Sequence, residues 1–403
     1  MARHTVLFPC SIPNPDIMHK PHIAIVGAGM GGLAVAATLR RAGFDIAVYE
    51  QASRFARVGA GIQMMPNSMK VLRGIGVEDR LRKTAFAPYS HLNRVGNTGE
   101  VKIELPMPEA LFGAPYLCMH RGDLHDALAS AVPAELIHLS KKLTGLEQSG
   151  SGVNLAFADG SLAQADAVIG ADGVHSLVRG ILLGPDKPIH KGRIAYRAAF
   201  SAEHLKGYDI GASRTKWWGN DRHIVMYYTR ADRSELYFVT SVPESAEWMT
   251  AESWSAKGDV NELRAAYEGF HLDVRTVLNA TPECHKWAIL ERAPLPRWSE
   301  GRVVLLGDAC HPMTPYMAQG AATAIEDAAI LARCLEAVDG EDIEGAFRTY
   351  EAHRKPRVSR IQAISSANTW LKGDGGKEPD TAWLYGYDAW NVPLTPTVYS
   401  PLA

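Results

Sequence analysis

Three separated segments of the chain carry residue types that suit binding of a large phosphorylated cofactor. In the first, Gly27, Gly29 and Gly32 form a GxGxxG pattern after an apolar run, and Glu50 closes a second apolar run. Glycines at this spacing permit a tight turn, close approach to a pyrophosphate and close helix–strand packing. A terminal acid such as Glu50 accepts hydrogen bonds from a ribose. This segment predicts a dinucleotide site with Glu50 and the adjacent Gln51 as contacts.

The other two segments repeat the pattern of an apolar strand followed by a polar turn and a helix. One is "ADAVIGADGVHSLVR", which places Asp172 in its turn, and the other is "RVVLLGDACHPMTPYMAQGAATAIEDAAILARCL". In the latter, Asp308 can accept a hydrogen bond from a ribityl hydroxyl. Backbone N–H groups at Gly320 and Ala321 would begin a helix whose positive end suits the charge of a reduced flavin. These features favour FAD over NAD, and they predict that the proline-rich loop holds the flavin ring.

The three motifs, in this order, resemble the class A flavoprotein aromatic hydroxylases from Pro21 to about Arg360. The stretch "HRGDLHDAL" is similar to a further family segment, which implies that Arg121 lies along the FAD, and the resemblance also implies a contact at Leu143. It implies a single-component enzyme in which NADH or NADPH reduces FAD and oxygen then forms a C4a-hydroperoxide. The sequence has no second GxGxxG in a strand–helix context, so NAD(P)H is expected to bind transiently.

The middle of the chain is expected to recognise the substrate. "DRHIVMYYTRADRSELYFVTSV" predicts a β-hairpin in which His223 and Tyr227 share one strand face, because side chains alternate along a strand. The residues alone also fit a hairpin with a purely structural histidine and tyrosine. Trp217 is a candidate for either core or substrate wall, and Pro315 is expected to help exclude water from the reaction.

Within the family, the sequence most resembles the 6-hydroxynicotinate hydroxylases, which implies that His223 and Tyr227 line the substrate site and are catalytic. A neutral imidazole near pH 7 would accept the proton of the substrate hydroxyl, directly or through Tyr227. Gln63, expected beside both FAD and substrate, departs from the histidine of those enzymes. It leaves open where the substrate carboxylate lies.

The elements that must position these residues predict an α/β fold. A Rossmann-like FAD-binding domain is interleaved with a mostly antiparallel substrate-binding sheet and followed by a C-terminal helix. The expected divisions are an N-terminal extension (1–20), a first FAD-binding part (21–180), the substrate sheet (181–296), a second FAD-binding part (297–360) and a C-terminal tail (361–403).

The expected reaction is decarboxylative hydroxylation of 6-hydroxynicotinate to 2,5-dihydroxypyridine. The alternative is para-hydroxylation without decarboxylation, of 6-hydroxypicolinate or of a hydroxybenzoate of the salicylate or 3-hydroxybenzoate type. A different FAD enzyme, such as a halogenase or reductase, and a non-catalytic FAD-binding protein are more remote. The stretch "KWW" is not the WxWxIP pattern of a flavin halogenase.

Composition narrows the remaining possibilities for this chain of 403 residues. A formal net charge of −2 is not typical of a nucleic-acid binder, and no run of 18 apolar residues suggests a membrane span. Five scattered cysteines without CxxC pairs predict reduced thiols and neither a zinc site nor disulfides. The expectation is a cytoplasmic monomer or homodimer without metal.

Overall fold

The computed structural model describes residues 20–57, 60–150, 152–244, 256–368 and 380–394. The expected N-terminal extension and most of the C-terminal tail lie outside these residues. Within the described ranges, no helix combines the length and apolar character needed to cross a membrane.

The described part of the chain contains nineteen strands and eleven α-helices. The strands are β1 (His22–Val26), β2 (Asp45–Tyr49), β3 (Gly61–Met64), β4 (Ser90–Val95), β5 (Val101–Pro106), β6 (Leu117–His120), β7 (Ile137–His138), β8 (Leu143–Ser149), β9 (Gly152–Phe157), β10 (Leu162–Ala165), β11 (Ala167–Gly170), β12 (Ile189–Ser201), β13 (Arg214–Trp218), β14 (His223–Tyr228), β15 (Glu235–Pro243), β16 (Lys257–Gly258), β17 (Cys284–Glu291), β18 (Ser299–Glu300) and β19 (Val303–Leu305). The α-helices are α1 (Met30–Arg41), α2 (Pro66–Ile75), α3 (Glu78–Thr84), α4 (Glu109–Phe112), α5 (Arg121–Ala129), α6 (Leu177–Leu183), α7 (Val260–Ala266), α8 (Leu272–Ala280), α9 (Gly320–Ala337), α10 (Ile343–Ala367) and α11 (Ala382–Tyr385).

The cofactor-side sheet has the order β18-β19-β11-β1-β2-β7. Its central strands β19, β11, β1 and β2 run parallel, and each of the three predicted motifs begins on one of them. Their residues are almost entirely buried, as expected for parallel strands covered on both faces. The carboxyl ends of β1, β11 and β19 therefore bring the three motif turns together at one edge.

The second large sheet has the order β16-β17-β12-β15-β14-β13-β4-β5. The predicted hairpin is confirmed: β14 and β15 pair antiparallel around the turn after Tyr228. The sheet extends beyond the expected 181–296 segment, because β4 and β5 join it and β4 pairs parallel with β13. This pairing links segments far apart in sequence, which no local pattern indicates.

Candidate active site

A cavity of about 380 Å³ lies where the motif turns meet the eight-stranded sheet. Its walls come from the first turn, β3, the turn after β11, the sheet face and the proline-rich loop. The predicted site residues that line it are Gly29, Gln63, Arg121, Tyr227, Asp308, Pro315, Gly320 and Ala321. Residues from all three motifs and from the hairpin thus meet in one space.

The three glycines of the first motif have different structural roles. A Cβ atom on Gly27, whose φ is +102°, would lie 2.4 Å from the Ala171 carbonyl oxygen, and one on Gly32 would lie 1.9 Å from the Gly27 oxygen. Both positions therefore require glycine for packing of the turn. A Cβ atom on Gly29 would meet nothing within 4 Å. Gly29 leaves its backbone bare towards the cleft, where a diphosphate would approach.

Two long helices begin at this cavity with uncapped N-termini. Neither α1 nor α9 has a capping side chain at its N-cap residue, Gly29 or Gln319, or an acidic residue in its first turn. Their first N–H groups and positive helix ends therefore suit anionic groups. FAD supplies two such groups, the diphosphate and the pyrimidine edge of its ring, so the residues present fit this cofactor.

Asp308 and Arg121 lie in the cleft between these helix ends. Asp308 is exposed to the cleft, yet the surrounding protein excludes bulk water and raises the pKa of its carboxyl group. The nearby His311 and Arg121 act in the opposite direction. A carboxylate in this position can accept hydrogen bonds from cofactor hydroxyls.

Four other predicted cofactor contacts lie away from the cavity wall. Glu50 accepts hydrogen bonds from the backbone N–H groups of Ala28 and Ala52, both at 2.8 Å, and so ties β2 to the glycine turn. Gln51 next to it is exposed. The side chain of Leu143 packs into the hydrophobic core at the start of β8, so only its backbone is available for the predicted cofactor contact.

Asp172 also differs from the expectation of a cofactor contact. Its carboxylate accepts hydrogen bonds from Ser176 and from the N–H groups of Leu177, at 2.8 Å, and Val178, at 3.1 Å. These bonds satisfy donors at the start of α6, so Asp172 holds this turn while its neighbour Gly173 lines the cavity.

The substrate end of the cavity joins Gln63 to two tyrosines. Tyr116 donates its hydroxyl hydrogen to Oε1 of Gln63 at 2.6 Å. Tyr227 is buried, and burial raises the pKa of its hydroxyl well above the usual value. The group therefore stays protonated at neutral pH and can donate a hydrogen bond.

His223 is on the same sheet face as Tyr227 but is not part of the cavity wall. Its ring packs against Trp218, at a centroid distance of 5.0 Å, and against the edge of Tyr316 at 5.4 Å. Burial, then the nearby cations Lys216 and Arg193, lower its pKa well below 6.5. The imidazole is therefore neutral at pH 7.

Trp217, a candidate for either core or substrate wall, does not line this cavity. Trp217 faces the other side of the sheet, where its ring stacks on His271 at 5.2 Å and beneath the Arg94 side chain. The neighbouring Trp218 lies on the His223 face instead. The strand register determines which of the two adjacent tryptophans is on the face of His223, and the sequence has no local signal that fixes this register.

The cavity residues of the sheet that sequence reasoning missed include Arg197, Tyr237 and Trp287. The Arg197 guanidinium lies 3.4 Å from the Trp287 ring centroid, a cation–π contact. Burial lowers the pKa of Arg197 to about 10. A detectable signal existed, since Arg197 is the one charged residue in the run "AYRAAF".

A buried ionic network holds the proline-rich loop from behind. Asp327 on α9 accepts hydrogen bonds from His311 at 2.6 Å and from the Gly307 N–H at 3.3 Å. Its other oxygen pairs with Arg354 on α10 at 2.7 Å. These contacts give His311 a structural role, and burial raises the pKa of the adjacent Cys310 thiol, as suits a packing residue.

Comparison with known proteins agrees with this geometry. Residues 20–365 match the family described as "FAD binding domain". The chain is 46% identical to 6-hydroxynicotinate 3-monooxygenase of Bordetella bronchiseptica, over 93% of this chain and 97% of that protein. It is 37% identical to 3-amino-4-hydroxybenzoate 2-monooxygenase of Streptomyces platensis, over 92% and 97%.

Among solved structures, Klebsiella pneumoniae HpxO complexed with FAD and uric acid is similar, with 26% identity and a TM-score of 0.75. The similarity covers 88% of this chain and 89% of that chain. The family match spans most of the sequence, and the cavity offers the features that FAD requires. The chain therefore belongs to the FAD binding domain family and is an FAD-dependent monooxygenase.

Proposed function

We propose that the enzyme hydroxylates a small hydroxylated pyridine carboxylate, 6-hydroxynicotinate, with loss of the carboxylate as carbon dioxide. NADH or NADPH is the reductant and O₂ the oxidant, and 2,5-dihydroxypyridine is the product. The observation that carries this proposal is that the cavity suited to FAD also has Gln63 and the aromatic side chains of Tyr227 and Tyr237 in its wall. The 46% identity to a 6-hydroxynicotinate 3-monooxygenase over nearly the whole chain supports the choice of substrate.

Bound FAD, once reduced, supplies an activated oxygen atom derived from O₂. The chain's own task is to position the ring and to keep water away. We propose that Tyr227 and the neighbouring amide of Gln63 orient the substrate through hydrogen bonds. Pro312 and Pro315 close the loop side with apolar surface. Exclusion of water protects a reactive oxidant from unproductive decay.

His223 is the proposed proton acceptor for the substrate hydroxyl, because its imidazole is neutral and has a nitrogen without a proton; its lowered pKa makes it a weaker base than an exposed histidine. A direct relay through Tyr227 does not fit the strand geometry. Four residues along a strand separate the two Cα atoms by roughly 13 Å. The proton would therefore pass beside Tyr316, whose ring edge contacts His223.

The second candidate is hydroxylation without decarboxylation, on 6-hydroxypicolinate or a hydroxybenzoate. The neutral amide of Gln63 favours it, because this side chain carries no charge to hold a carboxylate near the cofactor cleft. The 37% identity to 3-amino-4-hydroxybenzoate 2-monooxygenase agrees with a benzoate ring.

The test is a panel of 6-hydroxynicotinate, 6-hydroxypicolinate, salicylate and 3-hydroxybenzoate. Each is scored for NADH and NADPH consumption, with the product mass determined. A product lighter than its substrate by the difference between carbon dioxide and oxygen establishes decarboxylation, and a gain of one oxygen establishes simple hydroxylation. If none of the four raises consumption above the substrate-free rate, the proposal is wrong.

A further inference from the structure

A group of polar side chains lies on the cavity-facing side of the sheet, just beyond Tyr227. Lys216 on β13 pairs with Val225 of β14, so its side chain is on the same sheet face as those of Val225 and Tyr227. Arg214, two residues earlier on β13, shares this face. Arg214 is thus the cross-strand neighbour of Tyr227, and on its other side it pairs with His91 of β4. We call Arg214, Lys216 and His91 the cationic chamber.

The chamber residues are buried, and polar atoms of Arg214 and His91 lack hydrogen-bond partners. Arg214 is 6% exposed, and Lys216 and His91 are each 2% exposed. Nε and Nη1 of Arg214 and both ring nitrogens of His91 have no hydrogen-bond partner among the described residues. In the same part of the chain, no carboxylate lies within ion-pair distance of Arg214 or Lys216. The nearest compensation for Lys216 is the Trp218 ring, 3.6 Å from its Nζ atom.

Such an arrangement is costly for the protein alone. Buried cations are normally paired, and an unpaired one carries a large desolvation penalty. The penalty lowers the pKa of Lys216 well below its usual range, with the repulsion from Arg214 adding to it. A buried arginine with free donors, next to a lysine that would gain a proton more easily beside an anion, therefore fits a site completed by an anion from outside.

Three residues connect the chamber to the cavity. The His91 ring stacks on Tyr116 at 4.6 Å, and Tyr116 donates a hydrogen bond to Gln63 in the cavity wall. Tyr227, the neighbour of Arg214, lines the same wall. A single aromatic ring held at Tyr227 would need only a short substituent to reach across one strand spacing, about 4.8 Å.

We propose that the cationic chamber is the subsite for the carboxylate of the aromatic substrate, with Arg214 as its main ligand and Lys216 in support. This inference rests on the proposed function in taking the substrate to be an aromatic acid. It adds that the carboxylate is recognised by charge on β13, away from Gln63 and from Arg197. The planar guanidinium can bind a carboxylate through two parallel hydrogen bonds.

The experiment measures binding to the FAD-loaded enzyme by the change in flavin absorbance during titration. The probes are 6-hydroxynicotinate, its neutral amide 6-hydroxynicotinamide, and nicotinate, which has the carboxylate but no hydroxyl. The variants are Arg214→Gln and, as a matched control, Arg94→Gln, whose arginine lies against Trp217 on the far face of the same sheet.

We expect Arg214→Gln to weaken binding of both acids roughly 10- to 100-fold, the usual effect of a lost charged hydrogen bond. Binding of the amide should change little, and Arg94→Gln should bind all three probes as the native enzyme does. Native affinity of Arg214→Gln for the acids would overturn the inference, as would an equal loss for acid and amide.

These results separate the inference from the proposed function. Arg214-dependent binding of nicotinate without turnover of any hydroxypyridine acid would support the chamber and refute the reaction. Turnover with unaltered acid binding in Arg214→Gln would support the reaction and refute the chamber.

A second measurement tests whether Lys216 has a role in folding. Lys216→Met should raise the thermal midpoint of the enzyme without substrate while weakening acid binding, because it removes a buried amine that has no ion-pair partner among the described residues. A lowered midpoint would identify Lys216 as structural.

Discussion

At the scale of single residues, the two motif aspartates have different surroundings although their turns look alike in sequence. Asp308 faces the cleft, and Asp172 is engaged by the first turn of α6. Asp172 lies two residues after the last residue of β11, and Asp308 lies three residues after the last residue of β19. Only the positions of the following helices distinguish them, so the pattern alone could not assign their roles.

This difference gives a paired prediction. Asp308→Ala should weaken FAD binding by about 1–3 kcal/mol, the usual cost of one lost buried hydrogen-bond partner. Asp172→Ala should instead lower the free energy of unfolding, by roughly 1–3 kcal/mol, because it leaves donors of α6 unsatisfied. Flavin fluorescence during dilution and urea denaturation measure the two effects. Equal FAD retention in Asp308→Ala and the native protein would contradict the assignment.

His223 provides a second residue-scale prediction. His223→Ala should slow hydroxylation by a factor of roughly 10² to 10⁴, as expected for loss of a general base. More of the consumed NADH should then appear as hydrogen peroxide. The control is His271→Ala, since His271 stacks on Trp217 on the far face of the sheet. A His223→Ala enzyme with native turnover and native coupling would make His223 a packing residue.

At the scale of elements, the sequence correctly predicted the turns and strands that depend on residues close together in the chain. Glycine spacing predicted the turn before α1, and alternation around a polar turn predicted β14 and β15. The parallel pairing of β4 with β13 joins residues distant in sequence, so no local pattern predicts it. Arg197 was overlooked although it is a single cation within an apolar run, whereas Arg214 and Lys216 lie in the polar start of β13, where no apolar pattern marks them.

The first turn supplies the prediction at this scale. Gly32→Ala should prevent stable folding, because its Cβ atom would lie 1.9 Å from a backbone oxygen. Gly29→Ala should fold with a thermal midpoint close to that of the native apoprotein, because its Cβ atom meets only open space. It should nevertheless bind FAD weakly, since the methyl group occupies the path of the diphosphate. Thermal unfolding and FAD titration of the two variants check this prediction. Native FAD affinity in Gly29→Ala would show that the diphosphate does not approach the Gly29 backbone closely.

At the scale of the whole molecule, the site exists only because distant segments are locked together by buried polar groups. Arg354 and Arg357 on α10 pair with Glu326 and Asp327 on α9, all fully or nearly fully buried. Arg357 also donates hydrogen bonds to the carbonyl oxygens of Trp383 and Leu384 near α11. The C-terminal segment is thereby attached to the helix that begins at the flavin cleft. Charge states in this interior therefore bear on the stability of the entire fold.

Acid pH should consequently destabilise the protein through its buried histidines before its carboxylates titrate. Burial lowers the pKa of His91 and His223 well below 6.5, and burial and nearby arginines lower that of His353 to about 4. Below pH 6.5 the unfolded chain binds protons that the folded protein does not, so stability falls with falling pH in this window. Glu326 and Asp327, whose pKa values are lowered, lose their contribution only below about pH 4.5.

For His353 alone the linkage amounts to about 2 kcal/mol between pH 8 and pH 5. Urea denaturation at fixed FAD concentration should therefore give a smaller free energy of unfolding at pH 5 than at pH 8. His353→Gln should remove about 2 kcal/mol of that difference. His22→Gln is the matched control, because His22 is a partly exposed histidine paired with Asp45 at the start of β1. A pH dependence of His353→Gln identical to that of the native protein would show that His353 is not held neutral in the folded state.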